Sequence, residues 1–273
     1  MKHLNTYITE YIIKKKLDNP IDSSGYKYHP NNKEKLISTI KLLLVENKTN
    51  FNCIDTSEIT DMSNLFNGVK DTDKLNFDVS NWDVSKVKNM SNMFNGRYKF
   101  DCDLSNWDVS NVEDMSTMFY NCESFKGKGL ENWDVSNVTN MKYMFINCHN
   151  FKGKGLKNWN VSKVKYMDNM FCLTSFTGKG LEKWNVSNVY NMRDMFNACY
   201  EFDCDLSNWD VSNVENMEGM FRGCKKFKGK GLDKWNPVNL KVIRVMFDNC
   251  DMKDKPKWFY DKCYKNKKRS NIY

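Results

Sequence analysis

Apolar residues recur in this chain on two alternating spacings. In the unit that begins at Leu104, Trp107 and Val109 are two residues apart with Asp108 between them, the spacing of a short strand with one buried face. Leu104 enters the same interior from the preceding bend. Further on, Met115, Met118, Phe119 and Cys122 fall at i, i+3, i+4 and i+7, which predicts an amphipathic helix of about two turns, and Phe125 closes the unit. The offsets recur at Met141, Met144, Phe145, Cys148 and Phe151, and again at Met217, Met220, Phe221, Cys224 and Phe227. Each unit reads as strand, corner, helix and return.

The unit is a repeat. Trp82, Trp107, Trp133, Trp159, Trp184, Trp209 and Trp235 stand 25 or 26 residues apart in the phrase L-x-x-W-D/N-V-S-x-V-x-x-M-x-x-M-F-x-x-C-x-x-F. A short unit of this kind buries its apolar face only by stacking on its neighbours. The predicted fold is α/β: a leucine-rich-repeat-like solenoid with one short parallel strand and one short helix per 25–26-residue coil, and a helical N-terminal cap. The expected organisation is a cap over residues 1–50, a solenoid of about eight coils over 51–250, and a C-terminal cap with a basic tail over 251–273. Returns of the form Phe-Asp-Cys-Asp-Leu give the shorter unit. Phe125 to Leu130, with two glycines, gives the longer one, where positive φ admits the extra residue. The coil at Trp159 departs, with Cys172 directly after Phe171 and Phe176 one place early. Phe100 to Val112 and Phe202 to Val214 are identical and four units apart, which points to duplication of a four-coil block.

Leu4, Tyr7, Ile8, Tyr11 and Ile12 follow helical spacing up to Asn19 and Pro20. A second helix is expected from Lys33 to Glu46, started by Asn31 with Glu34 three residues later. After the array, Trp258, Phe259 and Tyr260 are placed to cover the last coil, and a basic, mobile tail follows.

With L-x-x-W-x-V set against the L-x-x-L-x-L of leucine-rich repeats, and V-x-x-M-x-x-M-F-x-x-C after it, residues Phe51 to Cys250 resemble the BspA-like bacterial surface-protein repeats. The resemblance implies adhesion or interaction with other proteins, including those of a host. It supplies no catalytic residue.

Lys and Arg outnumber Asp and Glu by 42 to 34, a net charge of +8 that favours acidic partners. Part of the excess lies in the tail at Lys262, Lys265, Lys267, Lys268 and Arg269. Five of the ten cysteines, Cys122, Cys148, Cys199, Cys224 and Cys250, share one repeat position, as small inward-facing side chains would. This favours reduced thiols and an intracellular compartment over a disulfide framework, with the cell surface as the alternative. No apolar run is long enough to span a membrane, and Met1 to Leu4 lead into no signal-peptide pattern.

Two rows of side chains are candidates for a binding surface. Asp83, Asp108, Asp134 and Asp210 face outward from the expected strands, where a stacked amide ladder or, less favourably, a calcium row is conceivable. Lys126, Lys128, Lys152, Lys154, Lys179, Lys228 and Lys230 line one edge of the expected solenoid. Three histidines, of which His149 alone lies in the array, and the absence of nucleophile, zinc or phosphate-loop motifs give catalysis no support. The functional expectation is a non-catalytic repeat scaffold for protein–protein recognition, its protein partner of unknown identity. The alternative is polyanion binding, to nucleic acid or acidic glycan, along the lysine edge. No cofactor is called for.

Overall fold

The stretch expected to be helical sends its backbone N–H groups to the next coil. Met115, Thr117, Phe119 and Asn121 donate to the carbonyls of Asn140, Lys142, Met144 and Ile146, at 2.8–3.0 Å. The intervening residues close tight turns within the coil: Met118 donates to Met115 and Cys122 to Phe119. This pattern requires left-handed backbone at two places. Thr117 and Asn121 have φ of 60° and 58°, and the corresponding residues Asn92, Gly96, Tyr143, Asn147, Asp194, Ala198, Gly219 and Gly223 are also at positive φ. An α-helix admits neither feature.

The computed structural model describes residues 25–69 and 72–270. Among them no strand forms, and sheet-like pairing is confined to isolated parallel bridges: Tyr28↔Ile54, Asn50↔Asp78, and a ladder that climbs the array from Asp61↔Asn89 to Asn216↔Val242. The two α-helices among the described residues, α1 (Lys33–Val45) and α2 (Lys257–Ser270), both lie outside the coils. The predicted α/β leucine-rich-repeat-like solenoid is therefore overturned: neither a strand nor a helix recurs per coil. The coils are built from turns, and they stack. The bridges of this ladder fall at the residue before the leading apolar residue of each turn row, not at the tryptophan. Trp107 and Val109 are buried on alternate positions, yet what ties that side to its neighbour is a side chain: the Trp107 indole N–H donates to the Val79 carbonyl at 3.0 Å.

The core runs the length of the stack. Met115, Met118, Phe119, Cys122 and Phe125 are fully buried, and the array tryptophans are 2–4% exposed. Rings stack from coil to coil, with Trp107, Trp133 and Trp159 at 6.3 Å centroid spacing and Phe119–Phe145 at 5.6 Å. The longer returns carry short 3₁₀ turns, Leu130–Asn132, Leu156–Asn158 and Leu232–Lys234, each preceded by a left-handed glycine. A Cβ on Gly129 would come within 2.3 Å of the Ser105 backbone nitrogen, so close approach as well as φ of +97° demands glycine there.

A helix covers each end in a different way. α1 starts at Asn32, one residue later than expected, whose side chain accepts from the Lys35 N–H at 2.9 Å. Leu36, Ile40 and Leu43 of α1 are buried, and the Lys33 ammonium bonds Asp61 and Ser63 of the first coil. At the other end Trp258 of α2 stacks on Trp235 at 6.1 Å and donates to the Leu232 carbonyl at 2.6 Å, standing where an eighth repeat tryptophan would stand. Part of the stretch expected as a mobile tail is thus α2. The expected helix over Leu4 to Ile12 and the signal-peptide reading at Met1 lie outside the described residues.

Candidate functional site

Asp and Asn at the coil corners spend their side chains on their own backbone. Asp83, Asp108, Asp134 and Asp210 are exposed, as the sequence places them, and each Oδ1 accepts the N–H of the serine two residues on, at 2.9–3.0 Å. These Asx turns make the corner. Hydrogen bonds from Ser136 and Ser212 hold the Asp134 and Asp210 carboxyls below the usual carboxylate range. The amide ladder exists in fragments, such as Asn106 to Asn81 at 3.4 Å. Elsewhere the amide reaches a carbonyl of the preceding coil, as Asn132 reaches Ser105. Among the described residues no three His, Cys, Asp or Glu side chains gather as a metal site would require.

The lysine row forms an edge that is largely neutralised from within. Lys128 pairs with Asp103 at 2.8 Å, Lys154 with Glu131 at 3.1 Å and Lys230 with Asp205 at 3.0 Å, and Lys126 pairs with Asp101. In each case the carboxylate belongs to the preceding coil. Lys228 uses its backbone N–H on Asp203 at 3.3 Å. Lys152 and Lys179 make no ion pair among the described residues. The Lys128 ammonium, followed by Ser105, draws the Asp103 carboxyl down to about 2, and bonds from Ser207 and Lys230 draw Asp205 lower still.

A second charged column was not anticipated. The residue after the leading apolar residue is serine in the first three turn rows, Ser63, Ser91 and Ser116, and then alternates in sign up the stack: Lys142, Asp168, Arg193, Glu218, Arg244. Arg193 Nε lies 3.4 Å from Glu218 and 3.2 Å from Asp194. Asp168 is buried, and desolvation raises its carboxyl above the usual value against the pull of Lys142 and Arg193. The signal is present in the sequence, but only as a comparison down one repeat position.

Buried thiols form a third column. Cys122, Cys148, Cys199 and Cys224 donate to the carbonyls of Phe94, Phe119, Phe171 and Phe196 in the preceding coil, at 2.8–3.1 Å. Burial pushes these thiols up, Cys199 to about 11, and off the column Cys102, Cys172 and Cys204 reach about 12. All ten cysteines are free, in keeping with a reducing environment. In the first tryptophan coil Arg97 takes the thiol's place, and its guanidinium reaches the Phe66 carbonyl at 2.8 Å and the Thr72 hydroxyl at 2.6 Å. In the irregular coil Thr174 replaces it and donates to Phe171.

Concave space is modest, and one recess, lined by Asp78, Cys102 and Asp103, borders the lysine edge. Another recess, of 670 Å³, lies between α1 and the first coils against Leu44, Val45, Val69 and Leu75. Among the described residues no helix is long and apolar enough to cross a membrane.

The family described as "Mycoplasma protein of unknown function, DUF285" matches the chain twice, over residues 36–154 and 143–258. The chain belongs to the DUF285 family. No curated protein matches it. No solved structure matches it either. DUF285 membership replaces the expected BspA-like relationship, whose strand and helix are absent from the coils. The recognition function expected from that relationship falls with it: turn-built DUF285 coils present no strand face of the leucine-rich-repeat kind, and the family carries no assigned role. The polyanion reading of the lysine edge is corrected too, since the carboxylates of Asp101, Asp103, Glu131 and Asp205 already pair with four of its seven lysines.

Proposed function

We propose that the chain acts without chemistry of its own, as a stiff spacer that holds whatever adjoins its two ends at a fixed separation. One observation carries this reading: the repeated indoles, thiols and amides are engaged in holding one coil to the next. Indole N–H groups, thiols and corner amides all donate to carbonyls of the preceding coil, as Trp133 does to Leu104, Cys148 to Phe119 and Asn137 to Ser110. Seven bridges separate the first turn row from the last, roughly 34 Å at about 4.8 Å per step. An intracellular location and a protein neighbour at an end fit this reading.

The test separates length from surface chemistry. In a cell lacking the native gene, one variant carries Asp83, Asp108, Asp134 and Asp210 changed to Asn and Lys126, Lys128, Lys152, Lys154, Lys179, Lys228 and Lys230 changed to Gln. A second variant keeps those eleven residues unchanged and lacks one coil, from Leu181 to Asp205. The first should complement and the second should not. Complementation by the shortened chain but not by the surface variant would overturn the spacer and favour those side chains as a binding surface.

A further inference from the structure

The turn rows pair in one direction. In each row from Met90 to Met217, the N–H groups of the leading apolar residue and of the residues two, four and six further on are directed at the next coil. Met217, Gly219, Phe221 and Gly223 donate in this way to Val242, Arg244, Met246 and Asp248, at 2.8–3.0 Å. In the last row the equivalent N–H groups, those of Ile243, Val245, Phe247 and Asn249, make no hydrogen bond among the described residues. α2 covers the ring side of this end, with Trp258 on Trp235 and Phe259 against Phe247 at 5.0 Å. Among the described residues α2 leaves the donor row unpaired. At the opposite end α1 lies along the first row, fixed by Lys33 to Asp61 and Ser63. One end of the stack is closed, and the other is a polar edge of alternate donors.

The charged column says what fits there. Lys142, Asp168, Arg193 and Glu218 alternate up to Arg244, which is exposed at the head of the column. The next position in the series calls for an acidic residue, as Glu218 follows Arg193 at 3.4 Å. A second copy of the chain does not supply it: its first row offers Ser63 at that position and is covered by α1.

We propose that this edge docks a coil-like segment of a different polypeptide. The segment presents backbone carbonyls at alternate residues, carries Asn or Gly where the turn needs left-handed backbone, and places a carboxylate opposite Arg244. Backbone pairing supplies the register and the ion pair the selectivity, as in strand addition to a sheet edge. This inference stands whether or not the chain is a spacer.

The experiment uses the full chain and, as probe, a synthetic peptide of the sequence Val214 to Cys224, which contains Glu218. With millimolar peptide, hydrogen exchange at residues 243, 245, 247 and 249 should slow about tenfold, a gain of about 1.4 kcal/mol. The protein variant Arg244→Glu should lose this protection, and a peptide with Glu218→Lys should restore it to that variant. Arg244 is exposed, so its replacement leaves the core intact, which the near-ultraviolet tryptophan signal checks. No protection with either matched pair would overturn the docking edge. Equal protection with matched and mismatched pairs would overturn the acidic partner. Concentration-dependent self-association of the wild-type chain with protection at 243–249 would overturn the choice of a different polypeptide.

Discussion

At the scale of single residues, the core is held by side-chain donors that each have one acceptor in the coil before. Trp133→Phe keeps a ring in the stack but removes the N–H that serves the buried Leu104 carbonyl at 3.2 Å. The expected cost is about 1–3 kcal/mol, read by urea denaturation, because a buried carbonyl is left without its partner. The thiols give a pH signature. Cys102, Cys172 and Cys204 have their pKa raised from 9.0 to about 12 by burial. Such a group favours the folded state fully below the unfolded value, and that stability is lost as pH rises through the folded one. The denaturation midpoint should therefore fall between about pH 9 and 12, and a Cys102→Ala/Cys172→Ala/Cys204→Ala variant should show a shallower fall. A thiol reagent at neutral pH should label the fully buried Cys122, Cys148, Cys199 and Cys224 only as fast as the chain opens.

At the scale of the element, the turn row explains what the sequence disclosed and what it concealed. The inward positions were legible: Met115, Met118, Phe119 and Cys122 are all buried, because spacings of three and four residues mark one face whether the backbone is helical or not. Consecutive turns closed by i to i+3 bonds share that spacing with a helix. The discriminating signal was the recurrence of Asn, Asp or Gly two and six residues after the leading methionine, as at Asn92 and Gly96 or Gly219 and Gly223, where left-handed backbone is least costly. Thr117, Tyr143 and Leu173 obscure it by occupying the same places at φ near 60°. Thr117→Asn should therefore raise stability by about 1 kcal/mol, seen as a higher melting temperature. Glycine positions sort by their surroundings. Gly96→Ala meets nothing within 4 Å and should cost only the left-handed penalty of about 1–2 kcal/mol. Gly129→Ala, which drives a Cβ onto the Ser105 backbone, should cost distinctly more in the same denaturation assay. The lysine edge illustrates the limit of reading the candidate site. Its members were identifiable one by one, but the pairing of Lys128 with Asp103 depends on which residues adjoin across coils, and only the stack fixes that.

At the scale of the molecule, stability is a sum over coils and their contacts, so the ends decide how opening begins. Trp258 completes the indole stack from outside the repeat. Trp258→Ala should leave the Leu232 carbonyl and the face of Trp235 uncovered. Hydrogen exchange should then quicken in Leu232 to Cys250 before it changes in the coils around Trp133. Uniform quickening throughout would show that the array opens as one unit.

Because core side chains of each coil reach back while its turn amides reach forward, every interior coil meets its neighbours through the same set of complementary groups. Excising or inserting a whole coil therefore leaves few mismatched donors or acceptors at the new junction. Such a chain can change length by recombination between its own repeats and still close its bonds, and the identical stretches Phe100 to Val112 and Phe202 to Val214 are the trace that such an event would leave.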